Sequence, residues 1–473
     1  MNCKAFASLL ALVIAGFFMG VLTNGCANPI APSGGPRDSL PPILISVTPK
    51  DSSENFNAKR VTFSFNEFVE VSNVHDNLIV SPVPKAEPVV ESKLRTVTVR
   101  IKDTLEANTT YAYNFGDAIK DINEGNILKN FTYVFSTGDH IDSLELTGRV
   151  QVAETGVPDS TLLVMLHRNG DDSALIKEKP RFIAKLDSMG RFHFRHLPAG
   201  VFYLYALKDE GGQKKYLSKR QLFAFADKPV TIGDTTPVPT LYAYLEKDTT
   251  KPIVSTPKPA AAKSDKEKEK DKRLKFSINL DNGQQDLLGK LEFTFADPLK
   301  VFDSSKVKFT DETFKPIANY RLIKDSTNKK LTLSYKWPEN TAFKLIVDRD
   351  FAEDSTGRKI PRTDTLSFRT MKESDYGNVI IRFNNLDFSK KPVLQILQSG
   401  TIKDSSRLTS KEFRIKLFKP GEYELRILYD ENGNGTWDTG EFFGKRRQPE
   451  KVIAIRRKLN VKANWDNDNT VDL

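Results

Sequence analysis

The residues between 430 and 441 have types and a spacing that could bind one hard cation. The stretch reads Asp-Glu-Asn-Gly-Asn-Gly-Thr-Trp-Asp-Thr-Gly-Glu. Oxygen-bearing side chains fall at loop positions one, three, five, nine and twelve, and a glycine at position six permits a sharp bend, as calcium loops require. The predicted ligands are the side chains of Asp430, Asn432, Asn434, Asp438 and Glu441, the last through both oxygens, and the main-chain carbonyl of Thr436.

The elements that flank this loop are predicted to be strands. Residues 422–429 alternate or look extended, and residues 441–446 show no helical period. A metal-stapled hairpin in a β domain is therefore expected, with one structural Ca²⁺. Three carboxylates predict a modest affinity, with a Kd on the order of 10⁻⁴–10⁻³ M. An Asn-Gly hairpin that needs no metal is the alternative.

Other side chains that could do chemistry are scattered. Of the five histidines, only His193 and His196 are close in sequence, and a spacing of three on a strand points them to opposite faces. No nucleophile elbow, zinc-binding helix, phosphate loop or dinucleotide fingerprint is present. Carboxylates are abundant, but nothing singles out a catalytic pair. We therefore predict no enzyme and no catalytic residues, and an enzyme of unrecognised type is the least favoured interpretation.

The N-terminus has the features of a secretory signal. Lys4 precedes an apolar run over residues 5–22, and Gly25-Cys26 follows. This junction resembles a bacterial lipoprotein cleavage site, which implies removal of residues 1–25 and lipidation of Cys26. An uncleaved membrane anchor is the alternative. Because Cys3 lies inside the signal, the mature chain would carry one cysteine and no disulfide.

Segments of about one hundred residues then repeat in the order A-B-A-B. The A segments share an alternating strand, Phe63-Ser-Phe65 or Phe293-Thr-Phe295, and a closing strand that ends in Thr137 or Thr370. These motifs resemble the bacterial Ig-like domain of the S-layer (SbsA-like) type. The B segments contain Leu197-Pro-Ala-Gly-Val-Phe-Tyr or Leu417-Phe-Lys-Pro-Gly-Glu-Tyr. They resemble the carboxypeptidase-regulatory-like, prealbumin-like β-sandwich. We predict an all-β fold of tandem β-sandwiches.

The repeat defines the predicted domains and supplies two further expectations. Acidic pairs recur in both A segments (Asp117/Asp121 and Asp350/Asp354), which suggests that they shape a loop. In the first B segment, Lys214 and Arg220 replace the glycine and the last glutamate of the calcium loop, so only one ion is expected. The boundaries are a signal at 1–25, a tether at 26–40, A1 at 41–139, B1 at 141–248, a disordered linker at 249–272, A2 at 273–371 and B2 at 374–473. This linker would divide the molecule into two A–B halves.

Net charge and secretion limit the class of partner. The formal charge is +10, but basic and acidic residues are interspersed and no aromatic–basic stacking module is visible, so no nucleic-acid partner is expected. The whole pattern resembles envelope lipoproteins of the Bacteroidetes, held on the outer membrane by acyl chains. Ala27-Asn28-Pro29 in place of acidic residues favours the periplasmic face. The predicted function is non-catalytic envelope binding or scaffolding of a protein or glycan partner. The alternative is a carbohydrate- or peptidoglycan-binding accessory protein of an envelope enzyme or transporter.

Overall fold

The computed structural model describes Val13 and residues 37–233, 238–247 and 273–473. Cys26, the predicted linker at 249–272 and most of the predicted signal and tether lie outside these ranges. Among the residues that are described, no helix has the length and hydropathy needed to cross a bilayer.

The fold is all-β, as predicted, and its strands form tandem sandwiches in the order A-B-A-B. Alternating apolar residues produce strands that bury one face, as in β2 (Arg60–Phe65), where Val61, Phe63 and Phe65 are buried. The other strands of A1 are β1 (Leu44–Thr48), β3 (Val69–Val71), β4 (Ile79–Ser81), β5 (Val89–Lys93), β6 (Thr96–Arg100), β7 (Thr110–Asn114), β8 (Ile119–Asp121) and β9 (Thr132–Ser136), with the short helix α1 (Val74–Asn77).

The remaining segments are built in the same way. B1 contains β10 (Leu144–Val152), β11 (Leu162–His167), α2 (Ala174–Lys177), β12 (Phe182–Lys185), β13 (Arg191–Leu197), β14 (Gly200–Lys208), β15 (Phe223–Phe225), β16 (Val230–Ile232) and β17 (Thr240–Ala243). A2 contains β18 (Phe276–Ile278), β19 (Gln284–Gln285), β20 (Leu291–Phe295), β21 (Leu299–Phe302), β22 (Val307–Asp311), β23 (Arg321–Lys324), β24 (Lys330–Ser334), β25 (Ala342–Val347), β26 (Ala352–Asp354) and β27 (Asp364–Thr370). B2 contains β28 (Gly377–Asn384), β29 (Pro392–Gln398), β30 (Thr401–Arg407), β31 (Glu412–Phe418), β32 (Gly421–Tyr429), β33 (Lys451–Val461) and β34 (Asp466–Asp472).

Sheet topology repeats with the sequence motifs. A1 has sheets in the orders β1-β2-β6-β5, β4-β7-β9 and β3-β8, and A2 has the matching orders β18-β20-β24-β23, β19-β27-β25-β22 and β21-β26. B1 has β13-β10-β17 and β12-β11-β14-β15, and B2 has β31-β28-β34 and β30-β29-β32-β33. In both B segments the last strand of the three-stranded sheet pairs parallel to the first strand of the segment. The repeat is therefore present in topology as well as in sequence.

Each segment has its own hydrophobic core. In A1, Phe63 of β2 meets Tyr133 of β9 edge-on with ring centroids 5.3 Å apart, which joins the two larger sheets. In A2, Phe309, Phe343 and Phe368 stack in a cluster that Trp337 closes. The indole N–H of this buried Trp337 donates to the Gly289 carbonyl at 2.8 Å, so the residue serves packing.

Buried aspartates shape the loops that follow β8 and β26, as predicted for one member of each recurring acidic pair. Asp121 accepts hydrogen bonds from the backbone N–H groups of Glu124, Gly125 and Asn126. Asp354 accepts from the backbone of Thr356 and Arg358 and from the Arg358 guanidinium at 2.7 Å. Burial alone would raise the pKa of Asp354, but these hydrogen bonds outweigh it and lower the pKa to about 2.

Contacts within the chain divide it into two compact units, residues 1–142 and 143–473. B1 therefore belongs to the same unit as A2 and B2, whereas the sequence suggested two A–B halves. Within the larger unit, A2 and B2 are joined through Tyr376, whose hydroxyl donates to Asp286 at 2.9 Å and accepts from the Leu287 N–H at 2.8 Å. B1 and B2 are joined through the chain that follows the predicted calcium loop.

Candidate functional site

The predicted calcium loop connects β32 to β33 in B2. Its first residue, Asp430, is buried and accepts hydrogen bonds from the backbone N–H groups of Gly433 at 2.7 Å, Asn434 at 3.1 Å and Gly435 at 2.8 Å. Gly433 and Gly435 both have φ of +78°, a conformation that glycine adopts without steric cost. Asp430 thus bends the loop around its own carboxylate.

The same type of bend occurs in B1, where the calcium pattern is broken. Asp209 accepts from the backbone N–H groups of Gln213 at 3.0 Å and Lys214 at 2.8 Å. The carboxylate at loop position one therefore shapes the turn in both segments, although B1 lacks the full set of calcium ligands. Any preference for a cation in B2 has to come from the residues that B1 lacks.

Those residues converge in B2. Asp438 Oδ2 accepts from the side-chain amides of Asn432 at 2.7 Å and Asn434 at 2.6 Å. These two hydrogen bonds and Lys247, whose Nζ is 3.2 Å from Asp438 Oδ1, lower the pKa of Asp438. Thr436 donates its N–H to Asn434 Oδ1 at 2.7 Å. The structure therefore brings together five of the six predicted ligand residues.

Glu441, the sixth, lies apart from this cluster. Its carboxylate is 3.1 Å from Lys445 Nζ, and its backbone exchanges hydrogen bonds with Arg447 at 2.9 and 2.8 Å. Glu450 faces the loop instead. Its buried carboxylate accepts from the N–H groups of Glu431 at 2.9 Å and Asp438 at 3.0 Å.

Sequence reasoning missed Glu450 because it lies beyond the twelve-residue pattern, immediately before the returning strand β33. Burial raises the pKa of Glu450, and the negative charge of Asp430 raises it further. Glu450 is a second acid held close to Asp430, and a bound divalent cation would reduce the repulsion between the two carboxylates. The pairing of β32 with β33, rather than the spacing of residues within the loop, thus determines which acid faces the loop.

The chemistry of the donors fits a hard cation. In the described part of the chain, no three His, Cys, Asp or Glu side chains lie close enough to form a metal site by themselves. The amide oxygens of Asn432 and Asn434 and the carbonyl of Thr436 would have to complete the shell, and such mixed oxygen ligands are the ones that Ca²⁺ takes in proteins.

Trp437 ties the loop to the body of B2. Its ring packs against the buried side chains of Val393, Leu428 and Val452. Its indole N–H donates to the main-chain carbonyl of Glu450 at 2.8 Å. These contacts orient the Trp437 ring towards the body of B2 and leave it unavailable for stacking on a sugar.

Residues 439–452, which run from the end of the loop into the start of β33 and which we term the clasp, pack into B1. Phe442 is fully buried, with its ring centroid 5.1 Å from those of Phe223 and Phe225 and 5.9 Å from that of Tyr205. Its N–H donates to Oε1 of the buried Glu246 at 3.0 Å. Both the ring and the backbone of Phe442 are therefore enclosed by B1.

Other residues of the clasp make polar contacts with B1. Gln448 donates to the Phe225 carbonyl at 3.0 Å and to Asp227 at 2.7 Å. Arg446 Nε donates to Asp172 at 3.0 Å. The Val452 N–H donates to the Ala153 carbonyl at 3.0 Å. The clasp thus contacts both sheets of B1.

Three of the histidines contact different neighbouring residues. His193 Nε2 lies 2.8 Å from Glu145 on neighbouring strands, and His140 contacts Asp139 at 3.1 Å. His167 is buried against Tyr205, and burial lowers the pKa of its imidazole to about 4.

Comparisons with known proteins identify one of the segments. Residues 38–137 match the family of bacterial Ig-like domains, which covers A1. No curated protein matches the chain.

Solved structures resemble the chain at low identity. The N-terminal part of the bacterial S-layer protein SbsC is 16% identical over 43% of this chain and 44% of that one, with a TM-score of 0.16. The Bacillus anthracis TIE protein is 10% identical over 93% of this chain and 75% of that one, with a TM-score of 0.17. BcpA, the major pilin subunit of Bacillus cereus, is 9% identical over 69% of this chain and 99% of that one, with a TM-score of 0.17. At these values the structural neighbours carry no argument about function.

Proposed function

We propose that this protein is a non-catalytic, lipid-anchored component of the cell envelope that binds or scaffolds a partner. The observation that carries the proposal is the chain of four sandwiches, one of them matched to bacterial Ig-like domains, behind an apolar N-terminal run that is followed by Gly25-Cys26. Acyl chains on Cys26 would hold the protein on the outer membrane, on the periplasmic face, as in envelope lipoproteins of the Bacteroidetes type.

The side chains that could do chemistry support a structural role. Buried carboxylates such as Asp121, Asp354 and Asp430 accept hydrogen bonds from their own loops, and Glu246 accepts from the clasp. Each of these acids is engaged in shaping a turn or joining two segments. Such contacts keep the segments rigid, and a binding or scaffold protein needs rigid segments to present its binding surface.

The test of this function is crosslinking in cells, followed by purification of the tagged, lipidated protein and identification of what comes with it. Recovery of one envelope protein at near-stoichiometric amounts is the expected result. Cell-wall or polysaccharide fragments without such a protein would favour the glycan-binding alternative, for which the exposed Trp465, with Lys462 Nζ 5.2 Å from its ring centroid, is the available stacking surface.

The proposal includes one structural Ca²⁺ in B2. Asp430, Asn432, Asn434, Asp438 and the carbonyl of Thr436 would hold it, and an acid from outside the cluster would complete the shell. Glu441 stands at loop position twelve in the sequence, whereas Glu450 is the acid that faces the loop in the structure. Burial is the main cause of the raised pKa of Glu450, the negative charge of Asp430 raises it further, and the ion would offset both effects.

Calcium is therefore expected to stabilise the protein. With a Kd of about 10⁻⁴–10⁻³ M, about 5 mM Ca²⁺ should add about 1–2 kcal/mol to the free energy of unfolding and raise the melting temperature by a few degrees over that in chelator. Calorimetry of the mature chain measures this shift. Glu450→Gln should abolish it if Glu450 completes the shell, and Glu441→Gln should abolish it if Glu441 swings inward. An unchanged melting temperature in wild type would remove the ion from the proposal.

A further inference from the structure

One end of A1 exposes apolar side chains around the loop between β2 and β3. Asn66 bonds Ile43 in both directions, its N–H donating to the Ile43 carbonyl at 3.1 Å and its side chain accepting the Ile43 N–H at 2.7 Å. The Phe68 carbonyl accepts from the Ile122 N–H at 3.1 Å, and the Leu94 carbonyl accepts from the Val69 N–H at 2.9 Å. Backbone hydrogen bonds therefore hold these apolar residues around one short loop.

The apolar side chains at this end point into solvent. We term the set the A1 tip; its members and their exposed fractions are Leu40 at 64%, Ile43 at 59%, Phe68 at 43%, Leu94 at 65% and Ile122 at 52%. Single exposed apolar residues are ordinary on a protein surface, but a group of five around one loop is typical of an interaction site.

The chain that leads to the proposed anchor reaches A1 at this tip. The Arg37 guanidinium donates to the Glu124 carbonyl at 3.1 Å, and the Asn126 amide donates to the Asp38 carbonyl at 3.2 Å. These contacts fix residues 37 and 38 on the loop that follows Ile122. Only ten residues lie between Cys26 and Arg37. Even fully extended, this stretch of chain spans no more than about 40 Å.

We infer that the A1 tip inserts into the surface of the membrane that carries the anchor, so that A1 lies against the lipid rather than hanging free of it. This inference depends on the proposed lipidation of Cys26. Tethering within this distance gives the tip a high effective concentration at the bilayer, so a shallow insertion of a few apolar side chains is enough to populate the docked state.

Charges at the tip indicate a zwitterionic lipid surface. Burial raises the pKa of Glu67, and the nearby negative charges of Asp121, Asp38 and Glu124 raise it further. The Arg95 guanidinium lies 5.3 Å from the centroid of the Phe68 ring. Phospholipid headgroups that carry a positive and a negative charge can pair with the acidic and basic side chains of the tip, whereas strongly anionic lipids would be repelled by the acidic side chains.

Depth-dependent fluorescence tests the inference. Because the mature chain has no cysteine besides Cys26, which lipidation blocks, Leu94→Cys and Ile122→Cys each give one site for an environment-sensitive fluorophore. Ala107→Cys is the matched control, since Ala107 is exposed and follows the far end of β6, which begins next to the Leu94 turn. The lipidated full-length variants are reconstituted into zwitterionic phospholipid vesicles whose acyl chains are brominated.

The label at residues 94 and 122 should be quenched at least about twofold more than the label at residue 107, because docked side chains reach about 5–10 Å into the boundary between headgroups and acyl chains. Equal, weak quenching at all three sites in vesicle-bound protein would overturn the inference and leave the anchor intact. Protection of residue 94 from aqueous iodide without quenching by bromine would also overturn it and indicate contact with a second copy of this chain. A chain that does not sediment with vesicles, and whose Cys26 takes up the label, would instead disprove the anchor.

Discussion

Replacing Phe442 by alanine is expected to separate B1 from B2. The ring is fully buried between Tyr205, Phe223 and Phe225, which belong to the other segment. Truncation of a buried Phe removes its transfer free energy and leaves a cavity, at a cost of about 3–5 kcal/mol. Because most of the partners of Phe442 are in B1, the loss should appear mainly as opening of the contact between the segments.

Hydrogen exchange of the mature chain measures this opening. Amides of β15 and of the clasp should exchange faster in Phe442→Ala by the factor that corresponds to this free energy, roughly a hundredfold or more. Phe314→Ala is the matched control, since Phe314 is exposed and lies in A2. Unchanged exchange in β15 would show that the polar contacts of Arg446 and Gln448 hold B1 and B2 together without the ring. An equal effect of both substitutions would show that the faster exchange does not arise from the contact between B1 and B2.

Replacing Cys26 by serine should release the protein completely from the membrane. Each methylene of a bound acyl chain that is buried in the bilayer contributes about 0.8 kcal/mol, so two or more chains make attachment stable. A serine at this position cannot form the thioether on which the proposed anchor depends. Fractionation of cells, together with metabolic labelling by a fatty-acid analogue, should find the wild type in the membrane fraction and the variant unlabelled.

Cys3→Ser supplies the internal control for this experiment. Cys3 lies within the segment that the signal peptidase would remove, so its replacement should change neither the fraction nor the labelling. Retention of unlabelled Cys26→Ser in the membrane fraction would contradict lipidation and favour the uncleaved anchor, in which residues 5–22 stay in the bilayer. The two substitutions together therefore separate the two interpretations of the N-terminus.

Much of the fold could be predicted because its signals are local. A period of two, as in Val61-Thr-Phe63-Ser-Phe65, specifies a strand with one buried face wherever it occurs. The recurrence of Asp121 and Asp354 predicted loop shaping correctly, because a carboxylate that caps nearby backbone N–H groups acts within its own turn. For the same reason, loop spacing was enough to predict that Asp430, Asn432, Asn434, Thr436 and Asp438 come together.

The sequence by itself determined the all-β class, the A-B-A-B repeat and the residues of the loop, because these depend on contacts a few positions apart or on motifs that occur twice. Only the tertiary structure decided that Glu450 faces the loop while Glu441 pairs with Lys445, and that Phe442 is enclosed by B1. An acid or a phenylalanine looks the same in sequence whether water or a distant segment surrounds it. Its role is fixed by which strands pair and which faces dock, and these are contacts between residues far apart in the chain.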